Sequence, residues 1–268
     1  MTDLSPSQLK ELLKTASEAA HAAAGVLRKY WGKISMIKSK SSPSDLVTEA
    51  DQESERLLLE SIRKRYPTHG FQGEEYGIDP IMHEEFTWVV DPLDGTTNYT
   101  HQFPMVSVSI GLLYCKEPVV GVIYNPFSEE FFHAAKGLGA YLNDDKICVS
   151  QVSNLSSSLL ATGFAYDRRE TEDNNYAQFC RLTNMAQGVR RMGSAALDLA
   201  YVASGRLDGY WERGLQPWDM AAGAVLVREA GGMVTSYDQT PFQLNAGKIL
   251  ATNGHIHNLL SKELTALL

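Results

Sequence analysis

Between residues 5 and 31 the apolar positions Leu9, Leu12, Leu13, Ala16, Ala20, Ala23 and Leu27 recur three and four apart, which predicts one long helix with a single buried stripe. Its start is written in Ser5-Pro6-Ser7-Gln8: an N-cap serine, a proline at the first helical position, and a glutamine placed to cap back. Gly32 supplies a stop. Residues 33–47 show no period, carry KSKSSPSD at their centre, and predict an irregular segment. A second helix follows, capped by Thr48 and running through DQESERLLLESIRKRY to Pro67. Asp51 falls in its first turn, where the helix dipole favours an anion.

From about residue 69 the pattern shortens. HGFQGE, FTWVVD, VSVSIGLLY, PVVGVIYN, FFHAAK and AYLN are rich in β-branched and aromatic residues and broken by Gly, Pro and Asn, so they read as strands. After residue 158 the elements alternate: strand SLLATGF, helices 173–187 and 194–204, strand LDGYWE, helix 219–230, strands GMVTSY and ILATN, and a short final helix. Gly205 and Gly231 sit where C-terminal helix caps belong. Strands interleaved with helices imply sheets covered by helices, a layered α/β or α+β sandwich. The Ser- and Asn-rich residues 150–158 form the seam between two halves, 1–150 and 151–268, of one compact unit.

Composition narrows the class. At 268 residues, 44% hydrophobic and 21% charged, the chain is an ordinary globular protein. Its N-terminal residues lack the basic-then-apolar order of a secretory signal, and no run approaches the roughly 18 to 20 apolar residues that span a bilayer. Cys115, Cys148 and Cys180 are scattered, suggesting neither disulfides nor a thiolate metal site. A net charge of −8 argues against nonspecific nucleic-acid binding, which needs a basic surface. The expectation is a soluble, cytoplasmic protein.

The candidate chemistry centres on WVVDPLDGTTNY, residues 88 to 99. Asp91 ends a strand, Pro92 removes a donor, and Gly95 permits a close or left-handed turn. Beyond Gly95 the N–H groups of Thr96 and Thr97 can face an anion, as at a helix start. Taken alone, DPLD also reads as a plain turn in which each aspartate caps its own backbone. Further acids shift the balance: Glu74 in GEE, Asp219 in QPWDMAAG, and Asp51, each beside a turn or helix start. Two carboxylates on one turn repel unless a cation lies between them, and oxygen ligands suit a hard ion such as Mg²⁺. No GxSxG elbow or P-loop competes. His255 and His257 read as surface residues and His101 as structural. Arg190-Arg191 reads as a solvated pair that could steer anions near a phosphate site.

The blocks WVVDPLDGTTNY, FPMVSVSIGL, GEE, DLVTEADQESE, PWDMAAGAVLVREAGG and GVRRMGSAALDLAY resemble, in order, those of the inositol monophosphatase family, over about residues 8 to 260. The resemblance implies a layered αβαβα sandwich, usually homodimeric, that hydrolyses a phosphate monoester with two to three Mg²⁺ ions and is sensitive to lithium. Glu74, Asp91 and the Leu93 carbonyl resemble the ligands of a first ion; Asp91, Asp94 and Asp219 those of a second; Glu74 with waters holds a weaker third. Gly95 and Thr96 would meet the phosphate, and Thr96 paired with Asp51 would orient and deprotonate the attacking water. Asp94, Gly193, Ser194, Ala195 and Glu212 match positions that contact the inositol ring, while Lys40 and Asp45 match a mobile loop near the metals. The implied substrate is myo-inositol 1-phosphate, which Glu212 favours. Alternatives are fructose 1,6-bisphosphate, histidinol phosphate, a 3′-phosphoadenosine nucleotide, or a regulatory binding role on the same fold.

Overall fold

The computed structural model describes residues 4–40, 45–78 and 85–266. Helix α1 (Pro6–Tyr30) starts as the sequence predicts, with Ser5 and Gln8 closing a reciprocal capping box. The segment expected to be irregular instead holds two short antiparallel strands, β1 (Ile37–Ser39) and β2 (Leu46–Thr48). All of β1 is exposed, so no alternation marked it in the sequence. Residues 41–44 of the KSKSSPSD tract lie outside the described residues. Helix α2 (Glu49–Arg65) is capped by Thr48, whose hydroxyl accepts from the Ala50 N–H.

The first large sheet contains β3 (Gly70–Gly73), β4 (Gly77–Ile78), β5 (Phe86–Asp94), β6 (Ser107–Tyr114), β7 (Glu117–Asn125), β8 (Glu130–Ala135), β9 (Gly139–Leu142) and β10 (Asp145–Ile147). A single-turn helix, α3 (Thr96–Thr100), follows β5. The spatial order is β10-β9-β8-β7-β6-β5-β3-β4, antiparallel except where β3 meets β5. The second sheet contains β11 (Leu159–Thr162), β12 (Gly188–Arg190), β13 (Gly209–Arg213), β14 (Met233–Thr235) and β15 (Lys248–Thr252), in the order β12-β11-β13-β15-β14. Its helices are α4 (Tyr176–Met185), α5 (Ala195–Ala203), α6 (Pro217–Glu229) and α7 (His257–Thr265).

Five layers result. Helices α1 and α2 cover one face of the first sheet over Leu27, Leu58, Trp88, Ile110 and Val120. Helices α5 and α6 fill the space between the sheets, with Ile123, Phe132, Leu199, Ala222 and Ile249. Helices α4 and α7 close the far side over Leu160, Leu182, Trp211 and Leu260. Helix α6 lies so near β7 that a Cβ on Gly121 would come within 2.3 Å of the Ala222 carbonyl oxygen, so only glycine fits there. That contact fixes where the N-terminus of α6, and Asp219 with it, can stand.

The expectation that His255 and His257 are both surface residues holds for His255 but not for His257. The His257 ring is buried between Thr235 Oγ1 (2.8 Å from Nε2) and Thr252 Oγ1 (2.9 Å from Nδ1). Burial lowers its pKa to about 4. It opens α7, and its partners lie on β14 and β15, which the pattern of the helix does not reveal. No helix among the described residues is long and apolar enough to cross a membrane.

Candidate active site

Side chains on a regular strand alternate faces, so residues three apart, such as Asp91 and Asp94, point to opposite sides. The pairing of β5 with β6 breaks this rule. Asp91 pairs with Ser109 and Asp94 with Ser107, so three steps along β5 match two along β6. The extra residue at Pro92-Leu93 is a β-bulge, and it returns Asp94 to the side of Asp91. Proline suits a bulge because it has no N–H to give the ladder. Gly95 then turns the chain into α3 at φ 93°, a left-handed conformation that side chains disfavour.

Both aspartates line a cleft of about 760 Å³, together with Lys40, Asp45, Glu74 and Asp219. Asp91 is buried, and its Oδ1 accepts from the Leu93 N–H at 2.9 Å. Asp94 Oδ2 accepts from Ser194 Oγ (2.6 Å) and from the Ala196 N–H (2.8 Å). Asp219, in the first turn of α6, accepts from the Gln216 N–H at 2.7 Å, as its position at a helix start suggested. Glu74 sits in the turn between β3 and β4.

These acids act on one another across the cleft. Burial, then Glu74, Asp94 and Asp219, push the Asp91 carboxyl well above its usual range. Burial and then Asp94 do the same to Asp219. Asp94 rises to about 6, chiefly through burial, against the opposing hydrogen bond from Ser194. Such shifts mark negative charge without enough local compensation. The cation that does approach is Lys40, whose Nζ lies 2.8 Å from Glu74 Oε1 and also bonds Glu75. Burial works to lower the Lys40 pKa, but Glu74 and Glu75 outweigh it and raise it.

The donor set of carboxylates and one backbone carbonyl matches a hard divalent ion in chemistry. Among the described residues, though, no three His, Cys, Asp or Glu side chains are gathered tightly enough to hold a metal as they stand.

Behind Thr96 lies Asp51, fully buried. Thr96 Oγ1 is 3.1 Å from both Asp51 Oδ1 and the Leu93 carbonyl, so its one proton can be given to either. The other Asp51 oxygen accepts from the Thr48 N–H and hydroxyl at 2.8 and 2.5 Å. Burial raises the Asp51 pKa to about 7. The predicted ring-contact residues Gly193, Ser194, Ala195 and Glu212 also line the cleft. Ser194, however, is the N-cap of α5 and gives its hydroxyl proton to Asp94, so its side chain orients that acid. Glu212 is buried, receives the Tyr210 hydroxyl at 2.6 Å, and is raised to about 7 by burial.

Two supporting residues were missed in the sequence. Glu55 is buried on α2 and accepts the N–H groups of Glu75 (2.7 Å) and Tyr76 (2.9 Å), fixing the turn that carries Glu74. Its spacing with Asp51, Leu58 and Ile62, all on one helix face, was the available signal. Asn98 Nδ2 donates to the Met105 and Met192 carbonyls, each at 2.8 Å, and so ties the segment before α5 to α3. Both members of the arginine pair are exposed, and Arg191 also lines the cleft.

The inositol monophosphatase family model matches residues 8–268 of this sequence. The chain belongs to that family. It is 55% identical over 262 residues to the inositol-1-monophosphatase of a Synechocystis species, covering 98% of this chain and 91% of that one. The solved inositol monophosphatase of an Anabaena (Nostoc) species shares 55% identity and a TM-score of 0.90, with 97% of each chain covered. The Nus factor SuhB of Pseudomonas aeruginosa is 40% identical over 250 residues, 91% of this chain and 92% of that one.

Proposed function

We propose that this chain hydrolyses myo-inositol 1-phosphate to myo-inositol and phosphate, with Mg²⁺ held by the cleft acids. As a member of the inositol monophosphatase family it is a phosphoric monoester hydrolase. The observation that carries the reading is the β5 bulge, which gives Asp91 and Asp94 a common side beside Glu74 and Asp219. Glu74, Asp91 and the Leu93 carbonyl would hold one ion and Asp91, Asp94 and Asp219 a second, with a third at Glu74. When bound, Mg²⁺ offsets the phosphate charge, lowers the pKa of a water and stabilises the leaving alkoxide.

The chain's own residues supply the rest. Thr96 Oγ can give its proton to Asp51 and accept one from a water on its cleft side. Asp51, with a pKa of about 7, is matched to receiving that proton near neutral pH. The first N–H groups of α3, at Gly95 and Thr96, face the phosphate, since a helix start leaves them without partners in the helix. Lys40 would have to give up Glu74 for that acid to hold an ion, which would couple β1 and β2, with Lys40 and Asp45, to the state of the site. Ala195, Gly193 and Glu212 border the space left for the ring, and Ser194 acts through Asp94. Lithium inhibition, a homodimer and a cytoplasmic location complete the reading.

The test is phosphate release across inositol 1-phosphate, fructose 1,6-bisphosphate, histidinol phosphate and a 3′-phosphonucleotide, compared by kcat/KM with and without a chelator. Turnover indifferent to the chelator would overturn the metal site, and inositol 1-phosphate ranking last would overturn the substrate. A second reading, a regulatory binding role, is favoured by the name of the Pseudomonas aeruginosa relative. It requires that an inactive Asp94→Asn variant keep its cellular effect.

A further inference from the structure

The fourth residue of α5, Asp198, is 1% exposed, and among the described residues no donor reaches its Oδ1. Only one other buried side-chain atom among them, the Tyr237 hydroxyl oxygen, shares that condition. A buried acceptor without a partner is unfavourable and calls for a cause, such as a ligand group that completes it. Asp198 lines the cleft together with Ala195, three residues earlier on the same side of α5, and with Glu212 and Arg191.

The surroundings select the ligand. After burial itself, Glu212 and Asp94 act on Asp198 as like charges, and Arg191 is the cation that opposes them. Tyr210 cannot complete Asp198, because its one hydroxyl proton goes to Glu212. An anionic phosphate is repelled from this end of the cleft. Neutral hydroxyl groups, which donate hydrogen bonds, are what two neighbouring carboxylates accept.

We infer that Asp198 is a second hydroxyl-accepting carboxylate for the polyol part of the substrate, taking a ring hydroxyl adjacent to the one that Glu212 takes. The inference rests on the phosphatase reading and gives it a direction: phosphate toward Gly95 and Thr96, adjacent hydroxyls toward α5 and β13. Asp198 is then a specificity-determining residue, set apart from the water-activating pair of Thr96 and Asp51.

The experiment measures kcat/KM of the Mg²⁺-loaded protein for myo-inositol 1-phosphate and for p-nitrophenyl phosphate, which has no hydroxyl donors. Wild type is compared with Asp198→Asn and Asp198→Leu. The expected result is a fall in the inositol-to-aryl ratio of about tenfold or more for Asp198→Leu, the size of one lost charged hydrogen bond, and a smaller fall for Asp198→Asn. The melting temperature of Asp198→Asn, which keeps the shape of the side chain, should not drop, since Oδ1 gives up no bond. A proportional loss on both substrates, or an unchanged ratio, overturns the inference. A mutation-free arm uses wild-type product inhibition: removing either of two adjacent inositol hydroxyls should weaken it, and sensitivity at only one position overturns the inference. Wild type that turns over neither ester defeats the phosphatase reading and this inference together. Wild type active on both, with variants of unchanged ratio, defeats this inference alone.

Discussion

Replacing Asp94 by asparagine should stabilise the metal-free protein near neutral pH while removing its activity. The native carboxyl titrates at about 6, against 3.8 for an ordinary aspartate. A difference of roughly 2 pH units corresponds to about 3 kcal/mol of cost for keeping the charge at pH 8. An asparagine oxygen can still accept from Ser194 Oγ and the Ala196 N–H, the two bonds that position the side chain. Those bonds weaken when the acceptor is neutral, so the net gain should be about 1 to 3 kcal/mol. For a chain of this size that is roughly 2 to 10 °C in Tm. The sign follows from proton binding: the folded form holds the Asp94 proton more tightly than the unfolded one. Its contribution is therefore fully present below pH 3.8 and is lost as pH rises through about 6. Thermal unfolding in a chelator at pH 4 and pH 8 tests this, with the gap between variant and wild type open at pH 8 and closed at pH 4. Added Mg²⁺ should reverse the order, because only the wild type gains the full metal linkage. If Asp94→Asn melted below wild type in chelator at pH 8, the electrostatic account of the cleft would be refuted.

Asp91→Asn and Asp219→Asn should each abolish Mg²⁺-dependent phosphate release and leave the circular dichroism spectrum native; full turnover by either would sink the metal assignment. A Cβ on Gly163 would stand 2.0–2.2 Å from the Glu212 carboxylate, so Gly163→Ala must displace that acid. Its KM for inositol 1-phosphate should rise by about tenfold, as expected for one lost charged hydrogen bond, and an unchanged KM would remove Glu212 from the ring site. His257 is neutral in the fold, with its pKa lowered from 6.5 to about 4 by burial. Its stabilising effect is present above pH 6.5 and is lost as pH falls toward 4, amounting to about 3 kcal/mol. Urea unfolding of His257→Gln between pH 7 and 4 should show a flatter slope than wild type, and parallel slopes would contradict the assignment.

Much of this architecture could be read from periodicity. The capping box at Ser5 and the stripe of α1 were explicit because every signal is local. The long strands β5 to β7 were equally plain, being rich in β-branched and aromatic residues at the centre of a sheet covered on both faces. Strands β1, β4, β10 and β12, of two or three residues, gave no usable alternation. The acids of the cleft were recognised individually, but not their supports. Glu55 and Asn98 act through bonds to backbone 20 or 94 residues away, and a one-dimensional pattern holds no trace of such a partner. Ser194 was expected at the ring from resemblance; it lines the cleft, and the folded chain adds that its hydroxyl also bonds Asp94.

The bulge between Asp91 and Asp94 has a consequence for how such a protein can change. Side chains around the cleft can be exchanged one at a time, each at a graded loss. The number of residues between the two acids cannot. Deleting Leu93 would restore regular pairing with β6, and Asp94 would then fall two steps from Asp91 on a straight strand. It would stay on the same face, but without the offset that brings it to Ser194 and the start of α5. Inserting one residue with the bulge kept would turn Asp94 to the opposite face. Length, more than chemistry, is the least negotiable property of the DPLD segment.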